Sequence, residues 1–212
     1  MNNTKNKILD ASLRLFNKNG VEKITLRQIA KDLGISQGNL NYHFPKKSEI
    51  ILSLYTDLVL SLDEKFSNLK KENLCLRDIF NNNIELIKCF YNYRFILLDF
   101  RQIMSDYPAI KKNYLWIQEK RKEQFLGLIE GLVQTKIIRE EEYKGEYENV
   151  YIRLTIIGDF WMSYAEIRDE LSGKSWMYDY SFYLLEILYP YLTSLGKEEF
   201  VSIMQDSNIE NN

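Results

Sequence analysis

Residues 25–47, TLRQIAKDLGISQGNLNYHFPKK, constrain the fold more than any other stretch of the chain. Two short amphipathic runs are separated by Gly34-Ile35-Ser36 and closed by adjacent lysines, the pattern of a helix-turn-helix. Thr25 is placed to cap the first run, in which Ile29, Ala30 and Leu33 recur at helical spacing. Gly34 stops that helix. Ser36 is the next capping residue, and the helix it opens sets Leu40 and Phe44 one turn apart, facing inward. Gln37 and Asn41 are also one turn apart, with Gly38 and Tyr42 beside them, so a hydrogen-bonding strip remains outside. A helix that reads a nucleic-acid groove needs such a strip.

The rest of the chain reads as helices and little else, punctuated by nine glycines and three prolines. Residues 4–19 form a first helix, with Ile8, Ala11, Leu15 and Phe16 on its inner face and Gly20 beyond its end. Residues 48–71 have the period of a long helix striped by Ile51, Leu54, Tyr55, Leu58 and Leu62, which bridges a head and a body. Further helices are expected over 77–92, 94–105, 108–136, 146–171 and 176–195, with a short one after Gly196. Pro108 suits a first helical position, where its missing N–H has no intrahelical partner anyway. Pro190 either kinks the last long helix or divides it. Residues 137–147 are acidic and aperiodic, a loop or short helical connector. The fold class is all-α: a three-helix head over residues 1–48 and a larger helical body over 49–212.

Residues 1–48 hold nine Lys/Arg and three Asp/Glu, a charge of +6, which leaves nineteen against twenty-seven, −8, for residues 49–212. A basic head on an acidic body suits a polyanion, because neutralising phosphates releases counterions. Lys46 and Lys47 at a helix start point the same way, since positive charge there is unfavourable without a polyanion. At 212 residues and 45% hydrophobic, the chain buries a sizeable core. Cys75 and Cys89 have no metal-like spacing and read as reduced, buried structural cysteines; a redox pair would need proximity. With no signal peptide and no apolar run near the ~20 residues a membrane helix needs, the chain reads as soluble and cytoplasmic, without a membrane partner. Only one histidine is present, and Ser and Cys lack a nearby base. No phosphate-cradling or metal motif appears, so neither catalysis nor a cofactor is expected.

The register of Ala11, Phe16, Gly20, Thr25, Ile29-Ala30, Gly34-Ile35-Ser36, Gly38, Leu40, Tyr42-His43-Phe44 and Lys47 resembles the TetR/AcrR family of bacterial transcription regulators. The match covers residues 4–52. That resemblance implies a homodimer with a three-helix DNA-binding head and a helical body that binds a small-molecule effector, usually a repressor that an inducer releases from its double-stranded operator. By position it puts Gln37, Gly38, Asn39 and Asn41 at base edges, and Thr25, Arg27, Tyr42, His43 and Lys47 at phosphates. The chemistry agrees: Gln and Asn pair bidentately with adenine, while Lys supplies a sequence-blind charge contact. The chain departs from the family at Asn41, where tyrosine is common, and at Pro45, so Asn41 raises adenine readout on its own account.

Aromatics crowd two places in the body. One is Phe90, Tyr91, Tyr93, Phe95 and Phe100, continued by Trp116 and Phe125; the other is Phe160, Trp161 and Tyr164 with the final helix from Trp176 to Tyr191. Most must be core, yet their density suits an amphipathic pocket. Phe95, Asp99, Phe100, Trp116, Phe125, Trp161 and Tyr164 are the ligand-binding candidates. Asp99 and Asp159 lie inside apolar runs and need partners. Salt bridges to Arg94, Arg101 or Arg153 are one solution and a cationic ligand is the other; an uncharged lipid-like inducer fits as well. The resemblance assigns the pocket to the middle helices and the dimer interface to the last two long ones. There the stripes Val150, Leu154, Ile157, Trp161 and Leu184, Ile187, Leu188, Tyr191 offer surface, and Gly158 permits close approach. A ligand-independent DNA-binding or nucleoid-associated protein whose body recruits a protein partner is the competing reading.

Overall fold

The computed structural model describes residues 2–69, 74–172 and 175–210. Among the described residues the chain forms α-helices and no strand: α1 (Asn2–Asn19), α2 (Leu26–Asp32), α3 (Gln37–His43), α4 (Lys47–Asn68), α5 (Leu76–Asn92), α6 (Arg94–Leu98), α7 (Phe100–Asp106), α8 (Pro108–Gln134), α9 (Glu146–Ile167), α10 (Trp176–Glu186) and α11 (Ser194–Glu210). Single 3-10 turns stand at Glu170–Ser172 and Tyr189–Tyr191. Residues 70 and 71, where the bridging helix was to end, lie outside the described residues.

Three elements differ from the sequence expectation, each for a local reason. The helix expected over 94–105 breaks at Asp99, whose backbone (φ −100, ψ 21) serves as the end of α6 and the start of α7. Its carboxylate Oδ2 accepts the Val21 N–H at 3.0 Å, an anchor 78 residues away in sequence. Pro190 divides the last long helix rather than kinking it: α10 stops at Glu186, the proline sits in a 3-10 turn, and α11 begins at Ser194. The helix after residue 146 ends at Ile167, four residues early, just before Asp169 takes up positive φ.

Two compact units result, residues 1–61 with 90–114, and residues 62–89 with 115–212. The sequence reading divides the chain at residue 48; here the greater part of α4 and the segment 90–114 group with the head. In the first unit, Ile8, Phe16, Ile29, Leu40, Phe44, Ile50 and Ile51 are buried together with Phe95. The Phe16 and Phe95 rings lie 5.3 Å apart. Asn17 ties the same elements, donating to the Asn92 carbonyl at 2.8 Å and accepting the Phe95 N–H at 3.1 Å.

The second unit packs α5, α8, α9, α10 and α11 around Leu76, Phe80, Leu132, Ile138, Val150, Leu185 and Ile203. Its α8–α9 connection, expected to be a loop, is fixed by an ion pair. Both terminal nitrogens of Arg139 donate to the buried Glu146 carboxylate at 2.8 Å, and the Glu142 N–H adds a third bond at 2.8 Å. These bonds, Arg139 first, hold the Glu146 carboxyl down at about 2, well below the usual carboxylate range. The first turn of α11 crosses this connection so closely that a Cβ on Gly196 would stand 2.3 Å from the Ile137 carbonyl oxygen. At Gly158, the glycine expected to permit close approach between two copies, a Cβ would meet nothing of its own chain within 4 Å.

The apolar phase of α9 is also rotated from the expected one. Val150 and Trp161 point into their own unit, at 0% and 4% exposure, and Leu188 of the second stripe is buried too. The outward face carries Ile152, Ile156, Phe160, Tyr164 and Ile167 instead, all at least half exposed. These five recur at intervals of three or four residues, so they share one side of the helix.

Candidate nucleic-acid interface

The helices α2 and α3 have seven residues each, too short to persist alone, and are held by their ends. Thr25 Oγ1 accepts the Gln28 N–H at 3.3 Å while Gln28 Oε1 accepts the Thr25 N–H at 2.8 Å, a reciprocal capping box. At the far end Gly34 turns the chain with φ +65, letting the Ile35 N–H reach the Ala30 carbonyl at 3.0 Å. Ser36 Oγ then accepts the Asn39 N–H at 3.2 Å and opens α3. Leu40 and Phe44 fasten α3 to the head core at 0% and 2% exposure.

What remains outside is the strip read from the sequence. Gln37, Gly38, Asn39, Asn41 and Tyr42 are all exposed, Tyr42 at 71%, and the half-buried His43 sets its ring edge-on to Tyr42 at 5.3 Å. Carboxamides held on a seated helix present paired donors and acceptors of the kind that match base edges. Arg27 and Lys46 are exposed beside the hairpin. Two of the phosphate-contact candidates also have internal work. Thr25 is the cap of α2, and Lys47 Nζ donates to the Val21 and Ile24 carbonyls at 3.0 and 3.1 Å, bracing the turn between α1 and α2. The basic excess is partly spent internally as well, since Arg14 pairs with Asp32 at 2.5 Å.

The seven ligand candidates are divided between the two units. Phe95, Asp99 and Phe100 belong to the first unit, where Phe95 packs on Phe16, Asp99 accepts the Val21 amide, and Phe100 meets Tyr114 edge-on at 5.2 Å. Arg94 lies over the Tyr91 ring at 4.7 Å. In the second unit Trp116 is 56% exposed with the Lys120 ammonium 3.7 Å from its ring centre, and Tyr164 is 57% exposed with Arg168 above it. Phe125 is half-buried against Tyr151 at 5.7 Å. Trp161 is buried between Trp176 and Tyr180, at 6.2 and 4.7 Å.

A charged cluster in the second unit escapes sequence reading. Arg121 of α8, its side chain 10% exposed, pairs with Asp63 of α4, donates to Gln124 Oε1 at 2.7 Å, and lies 4.0 Å over the Phe66 ring. The hydroxyl of Tyr151 donates to the Gln118 carbonyl at 2.8 Å one turn earlier on α8. Arg121 and Asp63 are 58 residues apart, so no local pattern pairs them. Among the described residues no group of three His, Cys, Asp or Glu is placed to hold a metal, and no helix is long and apolar enough to cross a membrane. Cys75 and Cys89 are not joined in a disulfide, and burial pushes the Cys75 thiol up to about 11.

The chain matches two family profiles: residues 8–54 match one described as bacterial regulatory proteins, tetR family, and residues 59–200 one described as a bacterial transcriptional repressor. An HTH-type transcriptional regulator of Staphylococcus aureus (strain USA300) is 32% identical over 95 residues, which are 45% of this chain and 46% of that protein. The chain thus spans about half the length of the curated relatives it matches. A TetR-family transcriptional regulator from Marinobacter aquaeolei VT8 has the same fold, with a TM-score of 0.86 at 23% identity over 96% of this chain and 98% of that one. A transcriptional regulator from Saccharomonospora viridis in complex with choline superposes with a TM-score of 0.68 at 17% identity, over 91% of this chain and 100% of that one. With its helix-turn-helix capped at both ends and its all-helical body matched along most of its length, the chain belongs to the TetR family of bacterial transcriptional regulators.

Proposed function

We propose that the protein is a homodimeric repressor, held on a double-stranded DNA operator by α3 and released by a small amphipathic ligand bound in the second unit. One observation carries the reading: the carboxamides of Gln37, Asn39 and Asn41 are exposed on a helix that Leu40 and Phe44 anchor at their back. Gln37, Gly38, Asn39 and Asn41 meet base edges, Arg27, Tyr42 and His43 meet phosphates, and Thr25 and Lys47 support them by fixing the ends of the hairpin.

A single seven-residue helix reads few base pairs, so two copies are needed, with half-sites about 34–36 Å or a multiple apart. The outward stripe Ile152, Ile156, Phe160, Tyr164 and Ile167 supports self-association, because that much apolar surface on one helix face calls for a partner. The choline complex of the Saccharomonospora regulator supports a small-molecule ligand for a protein of this fold. Phe125 and Trp161 are its best-enclosed candidates here. A ligand that shifts the second-unit end of α4 also moves the helix on which the head is built, since Ile50, Ile51 and Leu54 of α4 are buried in the head. Such a protein works in the cytoplasm, where its operator is.

The test is selection of bound fragments from the native genome with the purified protein, followed by titration of the selected site. Asn41→Ala is expected to lose about 1–3 kcal/mol at a defined adenine and little elsewhere. A monomer indifferent to every duplex at low salt overturns the reading, and a uniform loss across sequences overturns the role of Asn41.

A further inference from the structure

We propose that Arg121 is the receptor for the carboxylate of an amphipathic effector, and that Asp63 is the internal carboxylate which this effector displaces. The inference rests on the ligand-responsive reading above and assigns the chemistry of its ligand.

Among the described residues two ion-paired arginines are less than a third exposed, Arg121 at 10% and Arg139 at 28%, and they are built differently. Arg139 has its two terminal nitrogens on the two oxygens of one buried acid, Glu146, at 2.8 Å each, with the Glu140 carbonyl and the Glu142 carboxylate as further partners. Arg121 divides the same fork. One terminal nitrogen goes to Asp63, whose side chain is 55% exposed, and the other goes to the neutral side chain of Gln124 at 2.7 Å. A guanidinium fork matches a carboxylate bidentately, and that arrangement is the stronger one. Arg121 is therefore a desolvated cation, held away from water at 10% exposure, whose preferred partner geometry is unfilled. Burial lowers its pKa while Asp63 works against that shift, so the site gains from a better-placed anion.

The surroundings suit an acid with an apolar tail. Phe66 of α4 lies over the guanidinium at 4.0 Å, and Phe125 of α8 with Tyr151 of α9 supplies an aromatic pair at 5.7 Å. Leu69 and Leu154 pack on the core only in part. A cationic effector fits poorly. It would meet the Arg121 charge, and Asp99, the acid best placed in sequence to receive it, accepts the Val21 amide instead. Asp63 lies on α4 beyond the residues that build the head, so an effector that replaces it on Arg121 unfastens the last turns of that helix from α8.

The experiment uses the full-length protein and its selected operator, with decanoate and 1-decanol as probes below their aggregation range. Decanoate is expected to bind in calorimetry and to weaken operator binding by about tenfold, while decanol of equal chain length does neither. Asp63→Asn is expected to tighten decanoate by about tenfold, because it removes the competing carboxylate. Arg121→Gln should abolish decanoate binding and, because it too releases Asp63, lower operator affinity about tenfold with no further effect of decanoate; Arg121→Lys, which keeps charge but loses the fork, serves if the glutamine variant does not fold. Absence of decanoate binding, equal binding to Arg121→Gln, or weaker binding to Asp63→Asn overturns the proposal. Release of DNA by decanol alone overturns it too but leaves the ligand-responsive reading standing. Failure of the protein to bind any operator overturns that reading, and the calorimetry still decides the role of Arg121.

Discussion

The α2–α3 hairpin and the α9 helix expose side chains in opposite ways. In the hairpin the exposed groups are polar, and every local demand of the backbone is met nearby, by Thr25 and Gln28, by Gly34, and by Ser36. On α9 the exposed groups include Ile152, Ile156, Phe160, Tyr164 and Ile167, and its first residue has no side-chain cap. The hairpin is complete as a fold and unfinished only toward a polar ligand. The α9 face is unfinished as a fold, since apolar area left in water forfeits roughly 25 cal/mol per Å². The two faces are thus distinguished by the chemistry of what they leave in water.

Four substitutions break or sharpen that contrast. Phe44→Ala should cost about 3–5 kcal/mol, because it empties the buried seat of α3; chemical denaturation measures it, and DNA binding should disappear with it. An unchanged midpoint would mean that the seat is made elsewhere. Ile156→Asp, on the exposed side of α9, should leave the protomer's own stability within about 0.5 kcal/mol. It should weaken self-association by about 2 kcal/mol or more in sedimentation, and an unaltered dimer would move the interface off this stripe. Thr25→Ala should cost about 1 kcal/mol through loss of the cap and lower operator affinity through the hairpin alone. The smallest effect is a pH dependence in the second unit. Glu146 has a folded pKa of about 2 against an ordinary 4.5, so its contribution is full above the ordinary value and fades as pH falls toward 2. Melting followed from neutral pH to pH 3 should therefore fall more steeply for the natural chain than for Glu146→Gln, and parallel curves would refute it.

The same contrast explains what could be read from sequence. Hairpin signals are local: a capping threonine, a stopping glycine and two apolar residues one turn apart identify α2 and α3 within a few residues of their observed ends. The sequence puts the buried Val150 and Trp161 into an outward stripe of α9 because Val150, Ile152, Leu154, Ile156, Ile157, Phe160 and Trp161 set apolar groups on nearly every side, so the period alone cannot select the buried face. Asp99 looked like an orphan acid inside a helix. Its partner is a backbone amide 78 residues earlier, and no spacing rule reaches that far. Arg121 and Asp63 were invisible for the same reason, while Gly196 gave no sign that Ile137 passes against it. Helix existence was legible, and breaks imposed by distant partners were not.

The discontinuity of the first unit has a consequence for how such genes can be recombined. A graft that carried only residues 1–61 onto a foreign body would strip the Phe16 ring of Phe95 and leave the Val21 amide without the Asp99 oxygen. Swapping specificity between regulators built like this one therefore requires moving residues 90–114 as well, or exchanging only the few surface side chains of α3 and leaving the scaffold untouched.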